Sequence, residues 1–145
     1  MTVINNCNIP DHLLYQVEKH VWVLREPDGT AQVGMTDVAQ RLAGKIIVVT
    51  AKRVGRMVTK GQSAATVESS KWVGPVPSPL SGEIVAVNDA LSGDPGVLNQ
   101  DPYAHWIVKI APSDWDAEAG GLVSGADGVE AYRRLLEAEG IDCGV

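Results

Sequence analysis

Lys71 is the residue whose type and setting most directly suggest chemistry. It is the only lysine between Lys60 and Lys109, and it sits in the string Val67-Glu68-Ser69-Ser70-Lys71-Trp72-Val73-Gly74-Pro75-Val76-Pro77. Apolar, β-branched runs at Ala64 to Val67 and Glu83 to Val87 flank a tip rich in Ser, Gly and Pro. Such runs, bounded by turn residues, read as strands. A lysine where the first run ends is held in water at the mouth of a hairpin, where an enzyme can grip the backbone and modify one amine. Glu68 lies three residues before it, Gly55 lies 16 before and Gly82 lies 11 after. Either glycine allows positive φ or close backbone approach where strands turn between sheets, so substituting either is expected to misplace the hairpin.

The remaining candidate groups do not converge. The histidines, His12, His20 and His105, and the cysteines, Cys7 and Cys143, have no zinc-site spacing. There is no nucleophile elbow and no phosphate loop. Cys7 and Cys143 lie near opposite ends; two cysteines do not make a disulfide framework, and in a reducing compartment they are expected as inert or exposed free thiols.

The elements that must hold Lys71 are short and mostly extended. Val21 to Leu24 reads as a strand, turned by Pro27-Asp28-Gly29 onto Ala31 to Val33. Thr36 caps a helix through Gln40 to Ala43 that ends at Gly44, with Val38, Ala39 and Leu42 on one face. Ile46 to Thr50, uninterrupted by charge, reads as a buried strand. Gly61 opens the Lys71 hairpin. Asp89 to Gln100 reads as a long loop with one helical turn, Trp106 to Ile110 as a strand, and Ser113 as the cap of a short helix reaching Ala119. A last helix starts from a capping-box-like pair, Asp127 and Glu130, and stops at Gly140.

Length and composition bound the rest. The 145 residues suit one domain, 1–145, with 115–145 as a helical extension of it. Hydrophobic residues are 45% of the chain but aromatics only 5%, with no Phe, so Val, Ile, Leu and Ala must fill the core. The net charge of −6 argues against nucleic acid, which needs a basic surface, and suits partners with basic docking surfaces. No apolar run has membrane-spanning length, and the first residues lack the basic start and apolar stretch of a signal peptide. A cytoplasmic monomer is the expectation.

The Lys71 spacing resembles the lipoyl-domain family, and the wider chain resembles the glycine cleavage H protein and its relatives. His20-Val-Trp22-Val, Val33-Gly34-Met-Thr36-Asp37, Val67-Glu68-Ser69-x-Lys71, Leu80-Ser81-Gly82-Glu83-Ile84, Val87-Asn88-x-Ala90-Leu91 and Asn99-x-Asp101-Pro102-Tyr103 fall in that family's order, from about Pro10 to Asp114. The resemblance implies a mainly β fold with helices, a flattened hybrid barrel-sandwich with the lysine on a hairpin tip. It implies lipoate in amide linkage to Lys71, attached by a lipoate ligase that reads Glu68, Ser70 and Trp72. It makes the chain a carrier rather than an enzyme. Biotin-carrier domains share the hairpin but usually place Met beside the lysine, where this chain has Ser70 and Trp72.

The tip departs from the glycine-cleavage pattern, in which small residues follow the lysine. The string Lys71-Trp72-Val73-Gly74-Pro75 looks like the lipoate-binding proteins of bacterial sulfur oxidisers, which work with a heterodisulfide-reductase-like complex. That resemblance implies a sulfur cargo, with that complex or lipoamide dehydrogenase as electron acceptor. The alternative is the aminomethyl carrier of glycine cleavage.

Overall fold

The computed structural model describes residues 2–144. The chain opens with a tight hairpin, β1 (Thr2–Ile4) and β2 (Cys7–Ile9), whose turn residues Asn5 and Asn6 both have positive φ, 49° and 63°. Asparagine is among the few non-glycine residues that accept this region. β3 (Leu14–Gln16) follows, then a single 3₁₀ turn at Val17–Lys19. β4 (Val21–Arg25) and β5 (Ala31–Met35) form the expected hairpin. α1 (Asp37–Ala43) is capped by Thr36, whose hydroxyl accepts from the Ala39 amide at 3.3 Å, and it stops at Gly44.

Two sheets face each other. β6 (Ile46–Ala51), β8 (Ser63–Ser69) and β9 (Val73–Pro77) form one, in the order β6-β8-β9. The larger sheet takes in β7 (Met57–Val58), β10 (Gly82–Val87), β11 (Val108–Pro112) and β12 (Val123–Ser124), in the order β12-β3-β4-β5-β11-β10-β7. All pairings are antiparallel. Between the sheets pack Val33, Ile46, Val67, Val76, Ile84 and Ile110, all buried, as a core without phenylalanine requires. The architecture is the mainly β, lipoyl-type barrel-sandwich that the resemblance implied.

Helices close the open sides. α2 (Ala90–Gly93) and α3 (Val97–Gln100) fill the segment expected as a loop, and α4 (Trp115–Glu118) precedes α5 (Gly125–Glu139). α5 buries Tyr132 and Leu136 against Ile4, Ile9, Tyr15 and Trp22 in a second cluster. Trp22 is 1% exposed and donates from Nε1 to the Pro102 carbonyl at 3.2 Å. No helix among the described residues is long and apolar enough to cross a membrane.

Five local expectations are corrected. Glu83–Val87 is not the return strand of the Lys71 hairpin; it pairs with β11 and β7 in the larger sheet, and β8 is answered by β9. The prolines that suggested a tip fit inside β9 because it is an edge strand. β6 is only partly buried: a bulge between Ile46 and Val48 turns Ile47 and Val48 to solvent. Asp114, not Ser113, caps α4, accepting from the Ala117 amide at 3.3 Å, while the Ser113 amide donates to the Ser81 carbonyl. Asp127 and Glu130 form no capping box; α5 already starts at Gly125, and Glu130 pairs with Arg133 and Arg134 instead. Finally, Cys7 and Cys143 are not free: they form a disulfide across 136 residues, because the last turn of the chain is laid against the β1–β2 hairpin.

Candidate functional site

Lys71 stands at the far end of the β8–β9 hairpin. Ser69 and Trp72 face each other across the turn, the Ser69 amide donating to the Trp72 carbonyl at 2.7 Å, so Ser70 and Lys71 occupy the two tip positions. The Ser69 hydroxyl accepts from the Lys71 amide at 3.3 Å, and the Ser70 amide donates to the Lys45 carbonyl at 3.2 Å. The tip is therefore tied at its root and to the start of β6, leaving the Lys71 side chain exposed. None of the ion pairs among the described residues involves it.

The support under the tip comes from two residues that the sequence offered only as a helix stop and as part of a motif. Gly44, after α1, has φ +81° and ψ −157°, a region open essentially to glycine alone. A β-carbon there would stand 2.9 Å from Lys71 Cε, so the lysine stem runs directly over bare backbone. Asn99, at the end of α3, holds that backbone: its Oδ1 accepts from the Ile46 amide at 2.9 Å, and its Nδ2 donates to the Gly44 carbonyl at 2.8 Å and to Gln40 Oε1 at 3.0 Å. The motif Asn99-x-Asp101-Pro102-Tyr103 thus reaches the lysine through one turn of chain. Gly74 does the same for Trp72. Trp72 immediately precedes β9 and Gly74 is that strand's second residue; a β-carbon on Gly74 would stand 2.0 Å from Trp72 Cζ2.

Trp72 is 42% exposed and forms one wall of a groove of about 340 Å³. Val21, Met35, Ala39, Leu42, Val67 and Val76 line much of the rest, with Glu18, Lys19 and His20 also bordering it. On the other side of the α1 C-terminal turn, Lys71 shares a second hollow with Arg41, Leu42, Gly44, Gly140, Ile141 and Asp142. The lysine amine therefore emerges between an apolar groove and a more open hollow.

Of the other sequence-derived residues, Glu68 is on the hairpin, exposed on β8 opposite Val48 and Val73, with no hydrogen-bonded or ionic partner among the described residues. Ser70 and Trp72 flank Lys71 directly. Gly55 and Gly82 are not on the hairpin. Gly55 turns between β6 and β7 with φ +92°, its amide donating to the Ile84 carbonyl at 2.7 Å. Gly82 starts β10, where a β-carbon would stand 2.2 Å from the Ala111 carbonyl oxygen. They shape the larger sheet and its junction.

His20 lies beside the groove and belongs to a packed aromatic set. Its ring stacks on Tyr132 at 6.0 Å between centroids, and Nδ1 lies 3.4 Å from the Tyr132 hydroxyl. Burial holds the imidazole below the usual histidine value, while the charge of Glu139 pulls the other way. Burial also pushes the phenols of Tyr15, Tyr103 and Tyr132 upward, so these are structural hydrogen-bonding groups rather than acids.

An exposed primary amine on a braced tip, beside an apolar groove, can be acylated and can present what it carries; no acid–base pair is assembled around it. Comparisons with known proteins agree in kind. The glycine cleavage H-protein family matches over residues 14–135. The chain is 40% identical to glycine cleavage system H protein 5 of Aquifex aeolicus, over 99% of this chain and all of that one. It is 42% identical to a probable glycine cleavage system H protein 2 of Saccharolobus solfataricus, over 99% and 98% of the two chains. The crystal structure of a glycine cleavage system H protein from Mycobacterium marinum superposes with a TM-score of 0.74 at 33% identity, covering 92% of this chain and all of that one. The chain belongs to the glycine cleavage H-protein family, and it is a carrier protein rather than an enzyme.

Proposed function

We propose that this protein is a lipoyl carrier with lipoate in amide linkage to Lys71. The observation that carries the reading is the placement of Lys71: an exposed, unpaired amine on a two-residue tip, its stem running over Gly44. The residues fit the group. The amine is free to be acylated, and the apolar groove walled by Trp72, Val21 and Met35 suits an aliphatic chain and a ring. When bound, lipoamide supplies a disulfide that accepts electrons and a carried group by thiol chemistry. The chain's own residues do the rest. The Ser69–Trp72 pairing and the Lys45 carbonyl fix the tip, Asn99 fixes the backbone beneath it, and Glu68, on β8 three residues before Lys71, offers a lipoate ligase an unpaired carboxylate. Tethering then raises the concentration of the group at each docked active site.

Two readings of the cargo follow. The relatives' names favour the aminomethyl carrier of glycine cleavage, served by that system's decarboxylase, transferase and lipoamide dehydrogenase. A sulfur cargo delivered to a heterodisulfide-reductase-like complex is favoured by the Lys71-Trp72-Val73-Gly74-Pro75 tip and by the groove beside it. An amine cargo is protonated near neutral pH and gains little from apolar walls; the one carboxylate on this groove, Glu18, is exposed.

Intact mass after co-expression with a lipoate ligase tests the carrier. One lipoyl increment in the wild type and none in Lys71→Arg is expected; no increment with any ligase would remove the reading. Glycine–bicarbonate exchange with a glycine decarboxylase then separates the cargoes. Robust exchange establishes the aminomethyl reading. No exchange, together with adduct formation from sulfur donors, establishes the other.

A further inference from the structure

The end of the chain is a wall of the Lys71 site. After Gly140 the backbone lies along the Asn5-Asn6 turn: Asn5 Nδ2 donates to the Ile141 carbonyl at 3.2 Å, the Cys143 amide to the Asn5 carbonyl at 2.9 Å, and Asn6 Nδ2 to Asp142 Oδ1 at 2.9 Å. Gly140, Ile141 and Asp142 line the hollow that contains Lys71. Cys143 lines the adjoining hollow, which shares Arg41 and Gly44 with the first and adds Lys45 and Asn99. The disulfide ties this wall covalently to the body, where Cys7 is fully buried; half-buried Ile141 packs against the same cluster, and its amide donates to the Leu136 carbonyl at 3.0 Å.

We propose that Cys7–Cys143 is a redox-active pair whose substrate is a dithiol, and that its reduction releases the wall beside Lys71. The two sulfurs are unequal. Cys143 is half-buried at the edge of an open hollow, whereas Cys7 has no exposed surface. A thiolate of the dithiol attacks Cys143 Sγ, and the Cys7 sulfur leaves and takes a proton. The second thiol of the dithiol then attacks its own mixed disulfide and expels the Cys143 thiolate. The dithiol gives up two electrons and two protons and closes to a disulfide; the cysteines receive both. Arg41 and Lys45, on the hollow that Cys143 lines, favour the departing thiolate; the neighbouring Asp142 carboxyl is held below its usual range by hydrogen bonds from the Asn6 side chain and the Gly144 amide, with the Arg41 charge adding to them. Once the pair is open, the wall keeps the packing of half-buried Ile141 and a few hydrogen bonds but no covalent tie, a setting for local opening.

The consequence for function rests on Lys71 being the attachment site, but the test does not use lipoate. Unmodified protein is equilibrated with dithiothreitol, trapped with a maleimide and weighed. In parallel, Lys71 acetylation by an N-hydroxysuccinimide ester is followed by peptide mapping in the oxidised form, the reduced form and the Cys7→Ser/Cys143→Ser variant. Two maleimides are expected without denaturant, Cys143 labelled first. Lys71 acetylation should rise severalfold in the reduced form and the variant, with Lys109 unchanged as an internal control. A disulfide that opens only in denaturant, or equal Lys71 acetylation in both redox states, overturns the proposal. If the variant does not fold, the oxidised and reduced wild type decide alone. A chain that refuses lipoate in the mass experiment can still pass here, so the two failures are distinct.

Discussion

The indole of Trp72 covers Gly74 more closely than any β-carbon at position 74 would allow. The groove beside the lysine therefore depends on a glycine two residues further along the chain. Gly74→Ala should lift the indole out of its place while costing under about 1 kcal/mol, because Trp72 is at the surface and can move. The expected signature is a change in Trp72 fluorescence, isolated against a background with the other three tryptophans replaced by Phe. Partner turnover should change with a nearly constant melting temperature.

Gly44→Ala places a β-carbon in a backbone region that only glycine occupies easily, and it places it against Lys71 Cε. The stability cost should be about 1–3 kcal/mol. The rate of lipoylation by a ligase should fall more than for Lys45→Ala, which leaves the backbone carbonyl that receives Ser70 intact. Equal lipoylation rates for Gly44→Ala and wild type would show that the stem does not need this support.

Asn99 is half-buried and makes three hydrogen bonds to the chain beneath the tip. Asn99→Ala strands the Ile46 amide and the Gly44 carbonyl, at a cost of about 1–3 kcal/mol. Hydrogen exchange should show the loss as faster exchange at Ile46 and at Ser70, whose amide depends on the Lys45 carbonyl, with β4 and β5 unchanged.

Gly34 faces Trp22 across the β4–β5 pair, and a β-carbon would stand 2.4 Å from Trp22 Cε2. Here the indole is fully buried and pinned to the Pro102 carbonyl, so it cannot yield as Trp72 can. Gly34→Ala should lose about 1–3 kcal/mol by overpacking, and Trp22→Ala about 3–5 kcal/mol. Denaturant titrations would read both, and Lys71 should keep its reactivity in the folded fraction.

His20 gives the protein a pH dependence of definite sign. Its folded pKa is lowered by burial, so between that value and about 6.5 the unfolded chain binds the extra proton and stability falls as pH falls. The lowered carboxyls of Glu26, Asp28 and Asp142 act in the same direction, but below about pH 4. Urea midpoints measured from pH 7 to 5 should decline for the wild type and flatten for His20→Gln. An unchanged slope in the variant would assign the effect elsewhere.

Much of this was legible in the chain because it was local. Thr36 and Gly44 bracket α1, Pro27-Asp28-Gly29 turns β4 into β5, and the hairpin lysine announces itself by isolation and spacing. What escaped depended on partners distant in sequence. Pro75 and Pro77 looked like a tip because nothing local says that β9 has a free side. Ile47 and Val48 looked buried because a bulge cannot be read from a β-branched run. Asn99, 28 residues beyond Lys71, touches the tip's foundation only after folding, although its motif was already in view. Cys7 and Cys143 were read by their scarcity, and only the docking of the chain's end on the first hairpin brings them together.

The prolines of β9 have one more effect. Amides at i and i+2 of a strand point the same way, and β9 bonds to β8, so the inward donors are those of Gly74 and Val76, and the outward ones belong to Val73, Pro75 and Pro77. Two of those three positions have no N–H. The hairpin that carries Lys71 thus shows a rim with almost no donors, on which a foreign strand finds little to pair. The edge beside Lys71 is protected against self-association while the lysine itself stays exposed.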